Sequence, residues 1–280
     1  MFGIEAINVV IGLIFIYLLF SLFVSLINEI ISNLFNARGN QLYKSLKDLI
    51  GEDAVKNLYN DPRINILIKP GSTISSLKTE FTEIKNEKLP DFIPGEIFGE
   101  VLENFDNDKI KGKLEKATVT LKQSRKELSN LYELAITETR ATYRKNVRNL
   151  TLVIGLVVTV SFNVDSIKVF KELANDPQKA AFITAQAEAY IAANDSLVQQ
   201  NDAEIMELKE DLNELYKTQI NSLNSTLGLG WDSEVDILDQ VSLLGILGWV
   251  ITVLALSLGA PFWFDLLKRV INIKNEITKK

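Results

Sequence analysis

Three stretches of this chain carry no charged residue: Ala6–Asn28, Asn149–Val164 and Gln240–Phe264, of 23, 16 and 25 residues. A helix needs about 20 apolar residues to cross the hydrocarbon core of a bilayer, with a usable range of roughly 17–25. The first and third stretches meet that length outright. The second reaches only about 24 Å at 1.5 Å per residue, so its case rests on charge.

Lys and Arg gather on the cytoplasmic flanks of membrane spans. Arg38, Lys44 and Lys47 follow the first stretch, and Arg140, Arg144, Lys145 and Arg148 precede the second. Lys268, Arg269, Lys274, Lys279 and Lys280 follow the third. Residues 163–239 hold 5 bases against 15 acids, whereas residues 36–148 hold 20 against 17. If the second stretch crosses, all three basic flanks share the cytoplasm and the acidic segment lies outside. Snorkelling of Arg148 and continuation through "NVDSIKVF" make up its length; Lys168 and Lys171 speak against it. The first stretch reads as an anchor, not a cleaved signal, because Glu5 replaces a basic n-region and no small-residue cleavage site follows.

The expected fold is therefore an all-α integral membrane protein with its N-terminus out and C-terminus in. Transmembrane helix 1 covers 1–35, a cytoplasmic helical head and stalk 36–148, and transmembrane helix 2 149–166. An acidic extracytoplasmic helical hairpin covers 167–239, transmembrane helix 3 240–264, and a basic interfacial tail 265–280. The first helix is expected to continue past the membrane as "NQLYKSLKDLI" and stop near Gly51. "NDP", "KPGS" and "LPDFIPGE" limit the head to short elements. The stalk, with Leu114, Leu121, Leu128, Leu131 and Ala135 at helical spacing, should run into the membrane unbroken at Arg148. Outside, Asp176 as N-cap and Pro177 as first helical residue open a helix reaching about Ala193. A second, opened by Asp202 and Ala203, carries Ile205, Leu208, Leu212, Leu215 and Ile220 roughly on one face and ends at "STLGLGWDSE". Trp231 either touches the outer membrane surface or packs under that hairpin.

The chain has no cysteine and no histidine. That removes disulfides, thiol nucleophiles, and the commonest general base and metal ligand. The formal net charge of −6 disfavours nucleic acid as a partner. No phosphate-binding or nucleophile-elbow pattern appears, so a non-enzymatic protein without cofactor or metal is expected. The acids Glu204, Glu207, Glu210, Asp211 and Glu214 follow helical spacing and suit a solvated face better than a cation site.

Two patterns concern how the helices meet. In the first span Tyr17, Ser21, Ser25, Asn28, Glu29 and Ser32 fall on one polar stripe. Buried polar groups in lipid need partners. The stripe is either the lining of a conduit, with Glu29 as a cation site, or a hydrogen-bonding helix interface. The interface fits better, because "VVIGLIFI" above it is apolar. In the third span Gly245, Gly248, Thr252, Ala255 and Gly259 make a small-residue seam, and in the second Thr151, Gly155 and Thr159 make another. Such faces let backbones approach closely, within one chain or between copies.

The last apolar stretch ends in "SLGAPFWFDLLKRV". Pro261 should bend the helix by collision with the carbonyl of Ser257. Phe262, Trp263 and Phe264 belong at the inner interface, with Lys268 and Arg269 on anionic headgroups. Asp265 needs a partner at that depth, for which Arg144, Lys145 and Arg148 are the candidates.

"RKNVRNLTLVIGLVVTVSFNVDSIKVFKELANDPQKAA", "LGLGW" and "GWVITVLALSLGAPFWFDLLKRVINIK" together resemble a family of bacterial integral membrane proteins. "LINEIIS", "LYNDPRI" and "LPDFIPGEIFGEVL" extend the likeness over most of the chain, and "LGAPFWFDLL" is its most specific part. The resemblance implies a bacterial inner-membrane location and implies no activity. The functional expectation is a membrane scaffold or assembly subunit. It would self-associate as a homo-oligomer through the small-residue faces and present its helical regions to other membrane or cytoplasmic proteins. The alternative is a subunit of an oligomeric channel or transporter, with a pore lined by the stripe of helix 1.

Overall fold

The computed structural model describes residues 2–65, 67, 69–70, 87–103, 121–194, 205–232, 234–235 and 240–278. The described chain is helical apart from a two-residue antiparallel pairing of Lys69–Pro70 with Glu87–Lys88. It divides into two compact units, one of Met1–Ile30 with Arg148–Lys280 and one of Ile31–Val147. Helices α1 (Phe2–Leu34) and α6 (Leu121–Ser161) contribute residues to both.

The Ile31–Val147 unit is built from α2 (Ala37–Ile50), α3 (Glu52–Asn60), α4 (Pro62–Asn65), α5 (Gly95–Glu103) and the first part of α6. Leu42, Leu46, Val55, Leu58, Tyr59, Phe98, Leu102, Tyr132 and Ile136 form its core. The Tyr132 hydroxyl donates to the Ile93 carbonyl and accepts from the Ile93 N–H, which pins the "LPDFIPGE" loop to the stalk. α1 does not run on into α2. Asn36 takes a left-handed conformation, φ 46°, and its side chain donates to Leu89 O at 3.3 Å. Asn is one of the few residues that tolerates this geometry. Gly39 follows because any side chain there would collide with Leu89 O.

In the other unit the middle of α1 is enclosed: Ile11, Phe15, Ile16, Leu18, Leu19 and Phe20 are fully buried. Around it lie α7 (Ser166–Asn175), α8 (Pro177–Ala193), α9 (Ile205–Leu215) with a π-helical turn Tyr216–Ile220, α10 (Asn221–Leu227), α11 (Leu243–Ser257) and α12 (Ala260–Thr278). Thr184 of α8 donates to Asn8 O at 3.2 Å, Phe15 meets Tyr190, and Leu173 and Ile183 fill the space above Gly12. Phe20, Phe23, Phe162 and Tyr216 form an aromatic cluster.

Among the described residues α1 is the one helix long and apolar enough to cross a membrane by itself; α6 with α7, and α11 with α12, qualify only as pairs bent by 52° and 94°. The stalk does run through Arg148 without a break, and α8 starts at Pro177 with Asp176 capping Gln178 and Lys179. The opening of α9 and the upper stalk seam lie outside the described residues.

Four expectations are corrected. The first helix breaks at Phe35–Asn36 instead of continuing to Gly51. The second apolar helix ends at Ser161, and "NVD" turns the chain before α7. The segment 167–239 does not stand apart as a hairpin, because α8 and the π-turn after α9 pack on α1. Finally, Lys274 of α12 donates to Glu188 of α8 at 2.8 Å. The tail thus packs on α8, a part of the chain from which it was expected to lie apart.

Candidate functional site

The break between α6 and α7 is where the polar groups of this unit converge. Asn163 is left-handed, φ 48°, and the Asp165 carboxylate caps α7 by accepting from Ile167 N at 2.8 Å and Lys168 N at 3.2 Å. A broken helix leaves carbonyls without helical donors. Here side chains supply them: Trp231 Nε1 donates to Val160 O at 2.8 Å and Thr252 to Val164 O at 2.7 Å. Asn163 accepts from Trp249 Nε1 at 3.1 Å and donates to Gly230 O at 3.0 Å. Trp231 and Trp249 stack edge to face. Trp231 is thus packed on the break.

A buried row of hydroxyls joins three helices at the same place. The Tyr17 hydroxyl donates to Ser166 Oγ at 2.8 Å, and Ser166 Oγ is hydrogen-bonded to Thr252 Oγ1 at 2.7 Å, donating when the Thr252 proton is on a carbonyl. Thr252 has Val164 O at 2.7 Å and Gly248 O at 2.9 Å as acceptors for its single proton. The row ends on backbone carbonyls, so it orders α1, α7 and α11 and leads to no acceptor base.

The small-residue seam of α11 is spent on this junction. Gly248, Thr252 and Ala255 are buried, and the Asp165 carboxylate occupies the space beside Gly248 and comes within 3.6 Å of a Cβ built at Gly245. Gly155 faces Leu256, which a Cβ added at Gly155 would meet at ordinary van der Waals distance. Thr151 accepts from Asn28 Nδ2 at 2.8 Å, and Thr159 is fully buried with no hydroxyl partner among the described residues. Gly259 is left-handed, φ 84°, and makes the bend between α11 and α12.

The polar stripe of α1 is used largely between helices. Besides Tyr17 and Asn28, Ser32 bonds Tyr143 at 2.8 Å. Ser21 is buried without a partner among the described residues, Ser25 is exposed, and Glu29 is half-buried with a polar interaction of its own. In the foot of α12, Pro261 sits in the first turn, where its missing N–H costs nothing, so Gly259 and not Pro261 carries the bend. Trp263 donates to Ala255 O at 2.7 Å and lies against Tyr17 at 4.8 Å between ring centroids. Phe264 is buried under the Lys268 ammonium, 5.1 Å from its ring, while Phe262 and Arg269 are exposed. Asp265 is exposed and forms no ion pair among the described residues, and Arg144, Lys145 and Arg148 are exposed as well. Within its own unit the expected pairing of Asp265 with Arg148 is not formed; Arg144 and Lys145 belong to the Ile31–Val147 unit.

Ser166, Asn163, Asp165 and Val164 were not singled out from the sequence. The signal was present: Asn, Asp and Ser directly after an apolar run mark a turn followed by an N-cap. Among the described residues no group of acids is placed to hold a metal ion. The exposed acids Glu207, Glu210 and Glu214 lie on the outer side of α9. No protein-family model, curated protein or solved structure matches the chain.

Proposed function

We propose that this chain is a non-enzymatic assembly subunit of a bacterial inner membrane. Its membrane unit acts as an anchor, and the Ile31–Val147 unit is presented to partner proteins. The observation that carries this reading is the opposite fate of polar and apolar side chains around the α6–α7 break. The hydroxyls and indoles bond within one chain. Val153, Leu156 and Val157 of α6, and Leu243, Leu247, Val250 and Leu254 of α11, are exposed. A wall of aliphatic side chains turned outward suits lipid or another apolar surface.

The small-residue faces are engaged inside the chain, so self-association uses other surfaces. A pore along the stripe of α1 has little left to line it, since Asn28 and Ser32 are bonded to α6. Native mass spectrometry of the chain in lipid nanodiscs, combined with planar-bilayer recording, tests the reading. A discrete complex heavier than one chain and a silent trace are expected. Conductance that disappears in Glu29→Gln would replace the scaffold by a channel, and a stable lone chain would count against assembly.

A further inference from the structure

The pair α11–α12 has the dimensions of a wedge, not of a span. α11 has 15 residues and α12 reaches Lys274 in a similar number, so each arm measures about 22 Å. Neither arm alone covers a hydrocarbon core of about 30 Å. A bend of 94° at Gly259 prevents the two from adding end to end. Folded by that angle, arms of this length hold their apex only about 15 Å from the line joining their ends, half of the core thickness.

Both ends of the wedge lie at one level of the α7–α8 pair. α11 begins against Asp165, beside Gly245 and Gly248. α12 ends against Glu188 through Lys274. Asp165 precedes the turning point at Asp176 by 11 residues and Glu188 follows it by 12. Ser166, next to Asp165, meets Tyr17 of α1, and Tyr190, two residues beyond Glu188, meets Phe15, so the two positions lie at neighbouring levels of α1. The chain therefore leaves and rejoins α7–α8 at a similar height; one face of the bend, with Ala260, Trp263 and Phe264, packs back on the unit, and the other is open.

The apex is also the apolar part. Leu254, Leu258 and Phe262 are 58%, 54% and 47% exposed, and no charge occurs before Asp265. Beyond it the second arm carries Lys268, Arg269 and Lys274. Charge is absent where the apex stands and present where the arm returns, which is the profile of a segment entering a lipid leaflet from the polar side.

We propose that α11–α12 is a re-entrant wedge. Its exposed aliphatic and aromatic apex occupies the acyl region of one leaflet, and residues on either side of it lie on the same face of the membrane. The occupant of this surface is lipid. The proposal rests on the membrane reading above but not on the assembly role.

The chain's lack of cysteine makes the test direct. Glu234→Cys and Asn275→Cys, both at exposed positions, are offered a membrane-impermeant maleimide in sealed right-side-out and inverted vesicles. Both are expected to react in the same preparation, with only trace labelling in the other. Leu254→Cys carrying a fluorophore is expected to be quenched by lipids brominated on the acyl chain. Labelling from opposite faces, or reaction only after detergent, would overturn the wedge while leaving the membrane reading intact. Recovery of the full chain as a soluble dimer would overturn both, with a second copy as the occupant.

Discussion

The carboxylate of Asp165 fills the place that a side chain at Gly248 would take. One residue caps α7 and the other belongs to the buried face of α11, so the cap and the helix crossing are one feature. Gly248→Ala must either push the carboxylate off Ile167 N and Lys168 N or part the helices. Loss of a cap costs about 1 kcal/mol and overpacking about 1–3 kcal/mol. Thermal unfolding in detergent should show this loss, whereas Gly3→Ala, with nothing within 4 Å of the added carbon, should leave the melting curve unchanged.

The hydroxyl row predicts unequal costs along its length. Tyr17→Phe removes one donor and should cost about 1 kcal/mol. Thr252→Val keeps the shape but leaves Val164 O in the break without its donor, and should cost about 1–3 kcal/mol. Because both act on Ser166, the double variant should fall short of the sum by a measurable coupling energy. Strict additivity in chemical denaturation would show that the row is not one unit.

Gly259→Ala places a Cβ at φ 84°. A left-handed non-glycine residue costs about 1–2 kcal/mol. The expected result is a lower melting temperature. Pro261→Ala should be nearly silent, since that ring sits in the first turn of α12. The opposite ranking would return the bend to the proline.

In the Ile31–Val147 unit, Arg63 bonds Asp61 through its Nε at 2.9 Å and Glu100 through its Nη1 at 2.9 Å. The guanidinium hydrogen bond holds the Asp61 carboxyl below the usual aspartate range. A folded-state value lower than the unfolded one stabilises above about pH 4 and is lost as pH falls through the folded value. Acid titration of stability should therefore be shallower in Asp61→Asn than in the parent, because that variant has no proton to take up there.

Much of the helical plan could be read from residue order, because it depends on local signals. Asp176–Pro177 announces α8, and an uninterrupted pattern carries α6 past Arg148. The breaks were harder. Asn36 and Asn163 are ordinary in a helical pattern until Leu89 O and Gly230 O, distant in sequence, give their side chains acceptors. Packing of α8 on α1 was hidden for another reason. Its buried face is Ala180, Ile183, Thr184 and Ala187, in which Ile183 is the one large apolar side chain, too weak a pattern to announce a helix lying over it. The site followed the same rule: the stripe on α1 was visible, but Ser166 and the carbonyls it meets are brought there by the turn.

The unit that encloses α1 is assembled from the two ends of the chain, with residues 31–147 between them. On the ribosome, α1 emerges before residues 31–147, and the helices that cover Phe15, Leu18 and Leu19 are made only after that whole intervening unit. That unit is complete in sequence and can fold while synthesis continues. Until Ser166 and Thr151 are made, Tyr17 and Asn28 are without their native partners. The long apolar helix α1 therefore has to wait, through the synthesis of the whole intervening unit, for the helices that enclose it.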